Sequence, residues 1–162
     1  MIVLGIDPGA TVGWARLCVS RDPVRGDIIT YQAAGDFRSD DADHFAAKLF
    51  ANVDIVGLEE AQVAHGVEKF YAVKALLAAR AIGERLVTIA ETKYGKRVTR
   101  MTAARARGIV VGSSSPSDAT IKNAVLQRIR HWPTRSNAHQ RDAALVALAV
   151  GQTTPVIRRT GT

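Results

Sequence analysis

The sequence predicts an α/β fold, a mixed five-stranded sheet with helices on its faces. Two observations carry this. The first 37 residues hold three strand-like segments separated by turns, with no room for a helix between them. After them, helical periodicity alternates with short apolar runs, the pattern of parallel strands joined by helical crossovers.

"IVLGID" is apolar and β-branched and reads as a buried first strand, and Pro8-Gly9 makes the turn that follows. "GWARLCVS" and "DIITYQAAGDF" complete an antiparallel meander. Ser39 or Asp40 is placed to cap a helix whose Phe45, Leu49 and Phe50 share a face. "DIVGLEE" lacks polar alternation until its end, as a buried parallel strand does. A long helix is expected over 67–86, with Phe70, Tyr71, Lys74, Leu77, Ala78 and Ala81 at helical spacing and small residues on several faces. "KRVTRM" suits a fifth strand, and "TAARARGIVVG" a short helix capped by Thr102. Asp118 or Ser117 is positioned to cap "ATIKNAVLQRIRHW". "PTRSN" interrupts the chain before a last apolar helix, "AHQRDAALVALAVG", expected to end at Gly151. Residues 1–151 then form one domain and 152–162 a loose tail.

The chain has 162 residues, enough for a core that needs no disulfide or structural metal. Its one cysteine, Cys18, excludes an internal disulfide, suits a reducing cytoplasm, and reads as a half-buried strand residue. No run approaches the roughly 18 apolar residues of a membrane span. The net charge is +7, unevenly spread. Acids outnumber bases ten to five up to Glu60, whereas 93–141 carry eleven Lys and Arg against the single acid Asp118. A basic half of this kind points to a polyanionic partner, nucleic acid first.

Asp7 ends the first strand, and Glu59 and Glu60 end "DIVGLEE". If those strands are neighbours, their carboxylates meet. Glu59 and Glu60 point to opposite faces of a strand, so only one belongs to such a site; Glu59 is the first after the apolar run and Glu60 the alternative. His139 and Asp142 lie three apart on a helix and project from one face. Together Asp7, Glu59, His139 and Asp142 form an acidic, partly imidazole cluster that repels itself unless a cation sits in it, and Mg²⁺ or Mn²⁺ suits carboxylate oxygens. The same opening turn also admits a phosphate cradle of the actin-like ATPase kind. That reading needs a second glycine-rich hairpin, which the sequence lacks.

Four blocks in order make a resemblance specific: "IVLGIDPGATVGWA", "VGLEEAQV", "AARARGIVVGSSSPSDATIKNAV" and "AHQRDAALVALA". Over about residues 2–151 the chain resembles RuvC-type Holliday junction resolvases. The resemblance implies an RNase H-like fold and a homodimer, here through the long helix 67–86, in which each subunit nicks one of two opposed strands of a four-way DNA junction. It implies that Asp7, Glu59 and Asp142 are ligands of Mg²⁺ or Mn²⁺, two ions per site, in a hydrolysis that leaves a 5′ phosphate. Some members have aspartate and others histidine where this chain has His139, so His139 is expected as a ligand or proton-handling residue. Lys122 takes the place of a family lysine that contacts the scissile phosphate, and Arg97, Arg100, Arg105, Arg107 and Lys122 are expected to hold the DNA. The chain departs from the family in having no aromatic residue after Glu59 until Phe70 and Tyr71. The alternatives are a nuclease of the same fold acting on RNA–DNA hybrids, RNA or other branched DNA, and a DNA-binding module without catalysis.

Overall fold

The computed structural model describes residues 1–22, 24, 26–61 and 70–155. β1 (Ile2–Asp7) sits at the centre of the sheet. It pairs antiparallel with β2 (Thr11–Asp22), from Ile2↔Cys18 to Asp7↔Gly13, and β2 turns back into β3 (Gly26–Arg38). On its other side β1 pairs parallel with β4 (Ile55–Glu60), which pairs parallel with β5 (Arg97–Thr102). The order is β3-β2-β1-β4-β5, the mixed sheet that the sequence predicts. Among the described residues, no helix is long and apolar enough to cross a membrane.

Side chains alternate across each strand and so divide the core in two. Leu4 and Ile6 of β1, Val12 of β2 and Val56 and Leu58 of β4 face α1 (Ala42–Phe50) and α2 (Phe70–Tyr94), meeting Phe50 and Leu86. Val3, Ala15, Leu17, Val19 and Ile55 face the other way. There they meet α3 (Ala103–Val111), α4 (Asp118–Arg128) and α5 (Ala138–Thr153), whose residues 143–151 are all buried. The same alternation decides where the acids point. Asp7 continues the row of Val3 and Gly5 toward α5, and Glu59 continues that of Ile55 and Gly57. Glu60 follows Val56 and Leu58 to the α2 face.

Two glycines let α5 lie directly on the strands. A Cβ on Gly5 would stand 1.9 Å from the Ala143 carbonyl oxygen, and one on Gly13 would stand 2.4 Å from that of His139. Both obstacles are backbone, so a larger residue at either position forces the helix off the sheet. Close approach at these points fixes where His139 and Asp142 sit relative to Asp7.

Several boundaries differ from the sequence expectation. The long helix, expected over 67–86, is described over Phe70–Tyr94, and the expected start at Val67 lies outside the described residues. "VTIAETKY" holds no helix breaker, so the helix continues until Gly95, at φ 59. Neither Ser39 nor Asp40 caps α1; both lie in a 3₁₀ turn (Ser39–Asp41) ahead of it. Thr102 and Ser117 do cap α3 and α4, accepting from the amides of Arg105 and Thr120. α4 was expected through Trp132 but stops at Arg128. Past it, Ile129 and Trp132 are drawn into the core, and the Arg130 backbone bonds to Ile29 and Tyr31, covering part of the β3 edge. Gly151 does not end the last helix, which runs to Thr153. It is buried instead, where a Cβ would lie 3.0 Å from a Val19 methyl, so it serves packing rather than termination. Cys18 is partly buried on β2, as expected.

Candidate functional site

Three elements deliver acids to one end of the sheet. Asp7 and Glu59 stand at the last positions of β1 and β4 on the α5 face, where the parallel pairing has just ended at Ile6↔Leu58. α5 starts above them. Its N-terminus is fixed by a reciprocal cap: Asn137 Oδ1 accepts from the Gln140 amide at 2.9 Å, and Gln140 Oε1 accepts from the Asn137 amide at 3.2 Å. The Gln140 Nε2 also donates to Asp36 Oδ1 of β3 at 3.2 Å. Asp36 shares a sheet row with Gly13 and Asp7, so the start of α5 is tied to that row. One residue before Gln140, His139 Nδ1 lies 2.9 Å from Asp7 Oδ2. Asp142, one turn on, pairs with Arg107 of α3 at 3.5 Å.

The electrostatics follow from the same placement. Burial, then repulsion from Asp7 and from Asp142, pushes the Glu59 carboxyl up to about 8. Burial also raises Asp7; its hydrogen bond to His139 works against that rise, and Asp142 adds to it. Arg107 pulls both carboxyls back down. Asp7, Glu59 and Asp142 therefore share one field, with Arg107 as the cation acting on both raised carboxyls.

In kind, the donors fit a hard divalent ion: three carboxylates and an imidazole, of which Asp7 and Glu59 are penalised for ionising without a counter-charge. In arrangement they are open. Among the described residues, no three Asp, Glu, His or Cys side chains are gathered closely enough to hold a metal ion. The contacts account for this, because Asp142 is turned to Arg107 and Asp7 to His139. A cleft of about 510 Å³ opens beside Glu59 on the α2 side, walled by Pro8, Leu58, Glu60, Arg80 and Arg100 among others.

Asp7, Glu59, His139 and Asp142 are thus brought to one end of the sheet, and Glu60 is turned to the opposite face. The basic residues scatter. Arg100 is held by both oxygens of Glu84. Arg97 and Arg105 are exposed on β5 and α3. Lys122 is exposed on α4 and pairs with no acid among the described residues. The cation at the cluster is Arg107, for which sequence reasoning supplied only a role in holding DNA. It also missed Gly5, Gly13 and Asn137 as positioning residues. For Asn137 a signal was present, since Asn-x-x-Gln before an apolar run is a helix start.

The fold and this site define an α/β protein with a mixed five-stranded sheet and an acidic cluster at the ends of its central strands. No protein-family model matches the chain, and no curated protein matches it in sequence. Solved structures do. It is similar to RuvC of Thermus thermophilus, with 18% identity over 92% of both chains and a TM-score of 0.64. It is similar to T. thermophilus RuvC in complex with Holliday junction substrate, with 14% identity, 92% of both chains and a TM-score of 0.71. The yeast mitochondrial Holliday junction resolvase aligns with 15% identity over 92% of this chain and 76% of that one, at a TM-score of 0.50. At such identities the likeness establishes the fold.

Proposed function

We propose that this protein is a divalent-metal-dependent endonuclease that resolves four-way DNA junctions. The observation that carries the reading is the placement of Asp7, Glu59 and Asp142, from β1, β4 and α5, at one end of the sheet, with His139 2.9 Å from Asp7. One of the similar structures is a complex with Holliday junction substrate and another is a Holliday junction resolvase, which supports four-way junction DNA as the substrate class.

Asp7, Glu59 and Asp142 would hold Mg²⁺ or Mn²⁺, with His139 beside Asp7. Such ions, when bound, supply Lewis-acid stabilisation of charge on a phosphodiester and acidify water for attack. The chain's own residues do the rest. Burial raises both Asp7 and Glu59, so a divalent cation held there would favour their ionised forms. His139 Nδ1 bonds one Asp7 oxygen and so orients that carboxylate. Exposed Arg97, Arg105 and Lys122 offer phosphate contacts to the DNA arms. A second copy docks through α2, whose Lys74, Ala75, Leu77, Ala78 and Ala81 are exposed, Leu77 by 57%. A pair of sites then cuts two strands.

The test is cleavage of a synthetic four-way junction, a plain duplex, a flap and an RNA–DNA hybrid, each with Mg²⁺ or Mn²⁺. Paired symmetric nicks in the junction support the reading. Cleavage confined to the hybrid assigns the protein to hybrid processing, and binding without cleavage under any metal makes it a DNA-binding module.

A further inference from the structure

Arg107 belongs to α3, whose Ala106 and Val110 are buried against the core while Thr102 fixes its start. That packing points Arg107 at the acid cluster. Its side chain is 29% exposed and that of Asp142 is 25%, so the pair is sheltered, unlike the Arg38–Asp40 contact, which is above 80% exposed on both partners. One guanidinium is therefore set against Asp142, the task expected there of a divalent cation.

We propose that Arg107 is the built-in counter-ion of Asp142, and that a divalent cation must displace it from Asp142 to bind. The inference rests on the metal-dependent reading above and adds to it a competition. By occupying Asp142, Arg107 lowers the affinity of the site for a cation. Once displaced, its planar fork is free a few ångströms from the acids, where an incoming phosphate anion is its natural partner. Metal and phosphate then assist each other, because each removes one partner from the Arg107–Asp142 pair.

The competition reverses the usual direction of a mutational effect. Removing a unit positive charge from the edge of a cation site strengthens cation binding by about tenfold or more. If Arg107 only braced α3 against α5, its loss would loosen the site and leave affinity unchanged or weaker. The experiment is isothermal titration of Mn²⁺ into chelator-stripped wild type, Arg107→Gln and Arg107→Lys. Expected are a Kd about tenfold lower or more for Arg107→Gln, and one near wild type for Arg107→Lys, which keeps the charge. A parallel measurement needs no variant: titrating ¹⁵N-labelled wild type with Mg²⁺ should shift the Arg107 Nε–H resonance, saturating with metal binding. Wild type that binds no Mn²⁺ overturns the metal reading and this inference with it. Wild type that binds, with Arg107→Gln no tighter or with an Nε–H resonance that Mg²⁺ leaves unmoved, overturns the inference alone.

Discussion

Replacing Glu59 by glutamine removes a titrating group whose cost the structure sets. The folded chain holds the Glu59 proton up to about pH 8, whereas the unfolded chain releases it near 4.5. A carboxyl raised on folding contributes its full stability below the unfolded value, and that contribution is lost as pH rises toward the folded one. Each pH unit in this window removes about 1.4 kcal/mol. From pH 5.5 to 7.5 the wild type should therefore lose about 3 kcal/mol that Glu59→Gln keeps, because the amide is neutral throughout and of nearly the same shape. For a domain of this length about 1 kcal/mol moves Tm by roughly 2–4 °C, so the two Tm curves should diverge by about 6–12 °C over that range. The assay is calorimetric melting of both proteins in chelator at half-unit pH steps. Groups remote from Glu59 titrate equally in both and cancel. Parallel curves would refute the reasoning, because Glu59 would then be ionised and solvated in the folded chain and could not belong to a crowded acidic site. Adding Mn²⁺ at pH 7.5 should raise the wild-type Tm and leave that of Glu59→Gln nearly unmoved.

Four further outcomes follow from particular contacts. Asp7→Asn should bind junction DNA with near wild-type Kd in a mobility-shift assay while its cleavage rate falls by about a thousandfold or more; a near wild-type rate would remove Asp7 from the site. Gly13→Ala must move the His139 carbonyl, 2.4 Å from the new Cβ, and should cost about 2–4 kcal/mol by denaturant melting; a neutral result would mean that α5 does not sit where described. Asn137→Ala deletes the cap that starts α5 and should cost about 1 kcal/mol, with Asn137→Ser close to wild type in the same melts. Leu77→Glu should convert a dimer to a monomer by light scattering at micromolar concentration, and a wild type that is already monomeric would remove α2 as an interface.

The fold was legible because its strands differ in kind. The β1–β3 meander shows as segments joined by turns, and β4 as an apolar run with no charged residue before Glu59, its last position but one, ahead of the exposed Glu60. Asp7 was legible as a carboxylate placed where a buried strand runs out, and His139 and Asp142 as helix neighbours. The remainder depends on contacts between elements distant in sequence. Gly5 and Gly13 matter for the side chain they lack, and only the position of α5 reveals it. Arg107 is one of many basic residues between 93 and 141, and nothing local distinguishes it until α3 is packed beside α5. Gly151 carries the sequence sign of a helix end, yet burial against Val19 overrides it. Ile129 leaves the helix early because its place in the core and the unpaired edge of β3 outweigh helix propensity.

Diffraction from crystals soaked in Mn²⁺, recorded to show manganese anomalous scattering, measures the main point most directly. The prediction is an anomalous peak bounded by the carboxylates of Asp7, Glu59 and Asp142, with Asp142 released from Arg107. A well-soaked crystal whose manganese lies only on the exposed acids elsewhere, with those three side chains unchanged, would contradict it.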